Sequence, residues 1–263
     1  MKDYVRNFVE KFPSKEMSFL EVSKEFLDFI EDHQAENFEK AGEWMGKSFM
    51  DDRLVHVVGT GGHTNIPAYD MFYRAGGFVP INYIIPAGAH YGTVAARHGM
   101  RIERTPGYMR QVIDYHPVNE GDVAVVFNNI GVNAASVDAA LELHEKGAKV
   151  IAVCGSPWAD EIPKDHKTRH PSNQNLMDLA DLFIDDYNPV GDTVMAKEGF
   201  DRTYSPITTI TDAYIVRRIE GETVNYLMEN DFTPPMWMSA NVIGGDEANQ
   251  EYVDEYYNRV KFL

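Results

Sequence analysis

Cysteine is nearly missing from this sequence. Cys154 stands alone among 263 residues, which excludes a disulfide within the chain and fits a reducing compartment, the cytoplasm. Long apolar runs are missing too. None approaches the ~20 residues that a membrane-spanning helix needs, and the opening MKDYVRNFVEKF has no apolar signal-peptide core. Cations are scarce: 24 Lys and Arg face 41 Asp and Glu, a formal net charge of −17. Nucleic acids and anionic membranes both need a basic face, so neither is expected as a partner. An anionic ligand would meet a repulsive overall field and would have to be held by local amides, helix N-termini and a few placed cations. Internal repeats and low-complexity linkers are absent as well.

What is present reads as α/β. Apolar residues make up 44% of the chain, enough for one large domain. In residues 15–50, Leu20, Leu27, Ile30, Phe38, Trp44, Met45 and Phe49 recur at helical spacing among charges. Then come short, β-branched-rich runs: LVHVVG (54–59), FVPINYII (78–85), VAVVF (123–127), KVIAVC (149–154) and LFID (182–185). Helical periodicity lies between them, as in NAASVDAALELHEKG (133–147) with its C-terminal glycine, and two more helices are expected near 206–230 and 246–260. Strands alternating with helices predict a parallel sheet covered on both faces. A helical segment over 1–50 would pack on a core domain over 51–263 that carries a C-terminal helical extension, one domain overall.

In such sheets ligands bind beyond the carboxyl ends of the strands, where strand order reverses. Two strand-to-helix turns therefore stand out. GTGGHTN (59–65) offers Gly61, Gly62 and Thr64, with room for backbone to approach a ligand. NNIGVN (128–133) offers Asn128, Asn129, Gly131 and Asn133 around an apolar Ile130.

These turns, together with MFYRAGG (71–77), RHPS (169–172), PVGD (189–192) and PPMWMSANVIGGDEAN (234–249), resemble the sugar isomerase (SIS) domain family, in particular its phosphoheptose isomerase-like branch. The resemblance implies a flavodoxin-like three-layer α/β/α sandwich on a five-stranded parallel sheet, with N- and C-terminal helices. It also implies a homodimer or homotetramer with the pocket at a subunit interface, and aldose–ketose isomerisation of a small anionic sugar. Relatives carry a Ser-Asn-Ser-Gly type of loop for phosphate, whereas this chain has Asn128 and Ile130 at the serine positions. Each lost charge-assisted hydrogen bond costs about 1.5–3 kcal/mol. A sulfonate, a monoanion on carbon, suits amide donors beside an apolar neighbour. The substrate is thus expected to be a hexose with an anionic C6 group. It is either the 6-sulfonate, sulfoquinovose going to 6-deoxy-6-sulfofructose, or a 6-phosphate held by backbone amides with Thr64, Ser172 or Thr208.

Isomerisation needs an acid/base pair for ring opening and a base that carries a proton between C1 and C2. The candidates are His170, Glu103 and His63. Arg169 and Ser172 beside His170, then Asp192 and Asn241, are candidate substrate contacts. Glu103 with Arg104 matches a Glu-Arg pair of the relatives and reads either as base and oxyanion clamp or as a loop salt bridge. His90, Asp70, Glu198 and Asp246 are minor candidates, and Trp237 offers a face for a sugar ring. At His90 relatives have a His-Glu pair, and Tyr91 replaces that acid. No histidine pair has the tight spacing of a zinc site accompanied by further ligands, so no metal and no nicotinamide or nucleotide cofactor is expected. A non-catalytic SIS-type sugar sensor and an amino-sugar phosphate lyase or etherase are the alternatives.

Overall fold

Five strands pair in parallel in the order β2-β1-β3-β4-β5: β1 (Val55–Gly59), β2 (Ile81–Ile84), β3 (Val123–Phe127), β4 (Lys149–Cys154) and β5 (Leu182–Asp185). The computed structural model describes every residue from Met1 to Leu263. The register runs Val55 opposite Ile81 on one side of β1 and opposite Val123 on the other. Strand β3 is buried along its whole length, which is why VAVVF carries no polar alternation.

Helices α1 (Asp3–Val9), α2 (Phe19–Met50), α3 (Asn65–Met71), α4 (Ala96–Ile102), α5 (Tyr108–Asp114), α6 (Ala134–Glu145), α7 (Ser156–Glu161), α8 (Leu176–Leu179), α9 (Thr208–Glu229) and α10 (Gly245–Tyr256) surround the sheet. A two-stranded antiparallel pair, β6 (Thr193–Met195) and β7 (Tyr204–Pro206), stands apart. Alternate residues along the strands divide between two cores. Val55, Val57, Val123, Val125 and Phe127 pack with α1, α2, α3 and α9, whereas Val58, Ala124, Val126, Val150 and Ala152 pack with α5, α6 and α8. The result is the three-layer α/β/α sandwich.

Helix α2 starts at a capping box: Ser18 accepts from the Glu21 amide, and the Glu21 carboxylate takes the Ser18 N–H at 2.7 Å. Gly42 lets α2 cross closely over α9, because a Cβ there would lie 2.6 Å from the Glu222 backbone carbon. Helix α6 begins at Asn133, whose side chain accepts from Ser136 N, and Gly147 ends it in the left-handed region at φ 79°.

Candidate active site

Chain order places β2 on one side of β1 and β3 on the other, so the order of strand addition reverses between β1 and β3. The 59–65 and 128–133 turns both emerge there. They are tied together: Thr60 N donates to Phe127 O at 3.1 Å, and Asn128 Nδ2 donates to Thr60 Oγ1 at 2.8 Å. A Cβ on Gly59 would overlap the Thr64 carbonyl, so the first turn closes only with glycine there. Between the turns lies a cavity of about 160 Å³. Gly61, Gly62, His63 and Thr64 line it from the first turn, and Asn128, Asn129, Ile130 and Asn133 from the second. Tyr91 and Glu103, from the stretch after β2, complete the wall.

Glu103 follows the last residue of α4 and is pinned from behind, since its carbonyl accepts the Ala135 N–H of α6 at 2.9 Å. Its carboxylate lies near the Gly62 N–H, which favours the charged form. A Cβ on Gly61 would stand 2.9 Å from Oε2, so the carboxylate approaches the first turn as closely as glycine permits. Burial pushes the Glu103 pKa up to about 7, outweighing the opposing pull of Arg104 and of the Gly62 N–H. A carboxyl with that proton affinity is divided between acid and base at neutral pH, which suits proton transfer.

The polar groups of the turns are largely engaged with one another. Gly61 N donates to Thr64 Oγ1 at 2.8 Å, and the N–H groups of Ile130 and Gly131 reach Asn128 Oδ1 at 3.2 and 2.7 Å. Asn128 was expected to donate to a ligand. Instead its oxygen fills its own loop's N–H cradle and its nitrogen holds Thr60. Asn129 Nδ2 reaches Asp192 at 3.3 Å. The lining holds no Lys or Arg, and His63 is its one side chain able to carry positive charge.

The other expected contacts fall outside this lining. Arg169 holds the Ile162 and Ala159 carbonyls and Asn175, so it braces the loop after α7. His170 points Nε2 at Asp138 (3.2 Å) and Nδ1 at Ser172 (2.7 Å), although its backbone N–H donates to Val132 O within the 128–133 turn. Asp192 accepts from the amides of Ile207 and Thr208 and so fixes the start of α9 behind Asn129. The strand order explains these departures, because the loops after β4 and β5 emerge progressively farther from the β1/β3 reversal. Asn241 sits in an exposed turn before α10, and Trp237 is buried with Leu54, Val79 and Tyr256 rather than offered to a sugar. Asp70 pairs with Arg74 and Arg217, and no ion pair joins Glu103 to Arg104.

Two features escaped the sequence reading. Tyr91, read only as a lost acid, forms a wall of the pocket. Asp186 and Asp212 are fully buried close to each other, each with an oxygen lacking a partner, and burial pushes both pKa values well up, helped by the Asp212 charge at Asp186 and by the Asp192 charge at Asp212. The Asp185-Asp186 pair at the end of β5 was the available signal. A larger depression, 770 Å³, lies at the opposite end of the strands, where Arg53 and Arg259 pair with Asp122 and Asp52. No three His, Cys, Asp or Glu side chains converge as a metal site requires, and no helix is long and apolar enough to cross a membrane.

Residues 18–155, just over half of the chain, match the SIS domain family. The chain belongs to that family. It is 32% identical to a UPF0309 protein of Listeria innocua over 248 residues, 94% of this chain and 97% of that one. A UPF0309 protein of Caldanaerobacter subterraneus is 28% identical over 250 residues, 93% and 98% of the two chains. Among solved structures, a phosphoheptose isomerase from Francisella tularensis superposes with a TM-score of 0.50 at 15% identity, covering 78% of this chain and 94% of that one. That likeness is one of fold.

Proposed function

We propose that this SIS protein is an aldose–ketose isomerase of a hexose bearing an anionic C6 group. The observation that carries the reading is Glu103: a carboxyl with a pKa near 7, in a cavity at the sheet's reversal point, backed by two glycine-containing turns. Glu103 would take the proton from C2 of the open-chain aldose and return it to C1, passing through an enediolate. His63, on the opposing turn, would serve ring opening. The N-terminus of α6, presented through Asn133, would face the anionic tail.

A sulfonate suits this lining better than a phosphate dianion. The Ile130 and Gly131 amides are already satisfied by Asn128, Ile130 adds an apolar surface, and no Lys or Arg lines the cavity. A cavity of 160 Å³ falls below the roughly 300–1,000 Å³ of complete small-molecule sites. We therefore take a second subunit to complete it. That arrangement would give the His170–Asp138 pair and the exposed 238–244 turn a place at a neighbour's pocket.

The test is a panel of C6-sulfonated and C6-phosphorylated aldoses incubated with the protein and followed by NMR. Ketose should form from the sulfonated hexose faster than from its phosphate counterpart. Turnover of the phosphate alone would overturn the sulfonate assignment, and ketose from neither would overturn the isomerase.

A further inference from the structure

The pocket wall contributed by Tyr91 is built in an unusual way. The Cδ2–Cε2 edge of the ring lies so close to Gly62 that a Cβ there would stand 2.0 Å from Cε2 and overlap the ring. Its Cδ1–Cε1 edge faces Gly99 of α4, where a Cβ would stand 2.9 Å from both carbons. The ring thus slots between two stretches of bare backbone, one in the first pocket turn and one in the helix that carries Glu103 at its end. His63 meets it edge to face, with centroids 5.3 Å apart and planes at 87°. Gly62, against which the ring packs, also lines the cavity beside Glu103, and its N–H favours the charged carboxylate.

We infer that Tyr91 is a positioning residue: its ring, fixed by Gly62 and Gly99, closes the pocket over Glu103 and excludes water from that carboxyl. The inference rests on the isomerase reading for its purpose but not for its test. Tyr91 and Glu103 sense each other, since burial and then the Glu103 charge push the Tyr91 phenol up. The other titratable groups around Glu103 are Arg104 on its own segment and His63 on the first turn, while the 128–133 turn contributes only amides and the Ile130 side chain. Arg104 pulls the Glu103 pKa down. The rise must therefore come from exclusion of water, and the Tyr91 ring is the aromatic side chain that walls the same cavity. Glycine at two separated positions is what such a socket requires, and a tyrosine in place of an acid is what fills it.

The experiment is a ¹³C NMR titration of the Glu103 side-chain carboxyl in the intact protein, assigned with Glu103→Gln. In the parent protein the midpoint should fall near pH 7. Tyr91→Phe keeps the ring and should leave it in place. Tyr91→Ala should lower it by about one unit or more toward the ordinary glutamate value. Gly99→Ala, which presses a methyl group against the ring and displaces it without deleting it, should shift the midpoint in the same direction and covers the case in which Tyr91→Ala does not fold. A Tyr91→Ala or Gly99→Ala midpoint equal to the parent's would overturn the inference. So would a Tyr91→Phe drop as large as that of Tyr91→Ala, because the hydroxyl rather than the ring would then be responsible. The titration reads the carboxyl alone, so failure of every sugar to turn over would remove the isomerase assignment and leave this result standing.

Discussion

Replacing Glu103 by Gln should make the protein more stable and inactive at once. The native carboxyl has a pKa near 7, raised from 4.5 by burial. Above pH 7 the group is ionised in both folded and unfolded chains, and the folded state carries the full penalty. Below pH 4.5 it is protonated in both, and the penalty vanishes. Stability therefore declines as pH rises between those values, because the folded state binds the proton more tightly. A rise from 4.5 to about 7, at about 1.4 kcal/mol per unit, comes to about 3 kcal/mol. Gln keeps the shape and a side-chain oxygen, yet carries no charge. Glu103→Gln should accordingly gain about 3 kcal/mol at pH 8, on the order of 5–10 °C in Tm, and almost nothing at pH 4. Urea denaturation at both pH values measures this directly. A gain that is absent at pH 8, or equal at both, would refute the claim that Glu103 is a desolvated carboxyl.

Asp186→Asn should raise Tm at pH 8 and lose that advantage at pH 4, since the buried Asp186–Asp212 pair holds protons more tightly when folded and destabilises the chain as pH rises. Thermal denaturation across pH decides it, and a destabilised variant at pH 8 would contradict it. Asn128→Ala removes the acceptor of the Ile130 and Gly131 amides and the donor to Thr60 Oγ1, which keeps its bond to the Phe127 carbonyl. With about 1–3 kcal/mol for each group left buried and unpaired, the urea midpoint should fall clearly, and an unchanged midpoint would show that the two turns are not tied through this side chain. Ile130→Ser adds a donor to the pocket wall, so KM for a 6-phosphorylated hexose should fall relative to the 6-sulfonated one. A rise would count against the sulfonate reading.

The strands were legible in the sequence because a sheet buried on both faces leaves continuous β-branched runs, and VAVVF, KVIAVC and LFID coincide with β3, β4 and β5. The FVPINYII run was read too long. Pro80 has no N–H for the ladder, and β2 begins at Ile81, with only the Pro80 carbonyl paired to Val55. Helix α1 falls inside the helical segment expected over 1–50, but its bounds were not legible, because seven residues give too little periodicity and Val5, Phe8 and Val9 are explained only by the core they enter. The β6–β7 pair escaped for a similar reason: its strands are three residues each, and β6 is anchored by Ser14 from the far end of the chain.

At the site, the two turns were legible because each is local, a strand end followed by glycine and a helix start. Roles that depend on neighbours were not. Nothing in NNIGVN says that Asn128 will turn inward, and nothing joins Gly62 to Gly99 until Tyr91 stands between them. Arg169, His170 and Ser172 drew attention by their chemistry within four residues, yet the arginine braces backbone carbonyls and the histidine faces Asp138.

The most direct measurement is solvent exchange at the sugar's C2. The protein, a 6-sulfonated aldohexose and D₂O are followed by proton NMR, with Glu103→Gln in parallel. With Glu103 as the base that shuttles the proton, ketose should appear, deuterium should enter the C1 or C2 position, and both signals should drop by about 10²-fold or more in Glu103→Gln. Ketose formation that continues undiminished in Glu103→Gln, or no ketose and no exchange from any anionic aldose with the parent protein, would contradict the central claim.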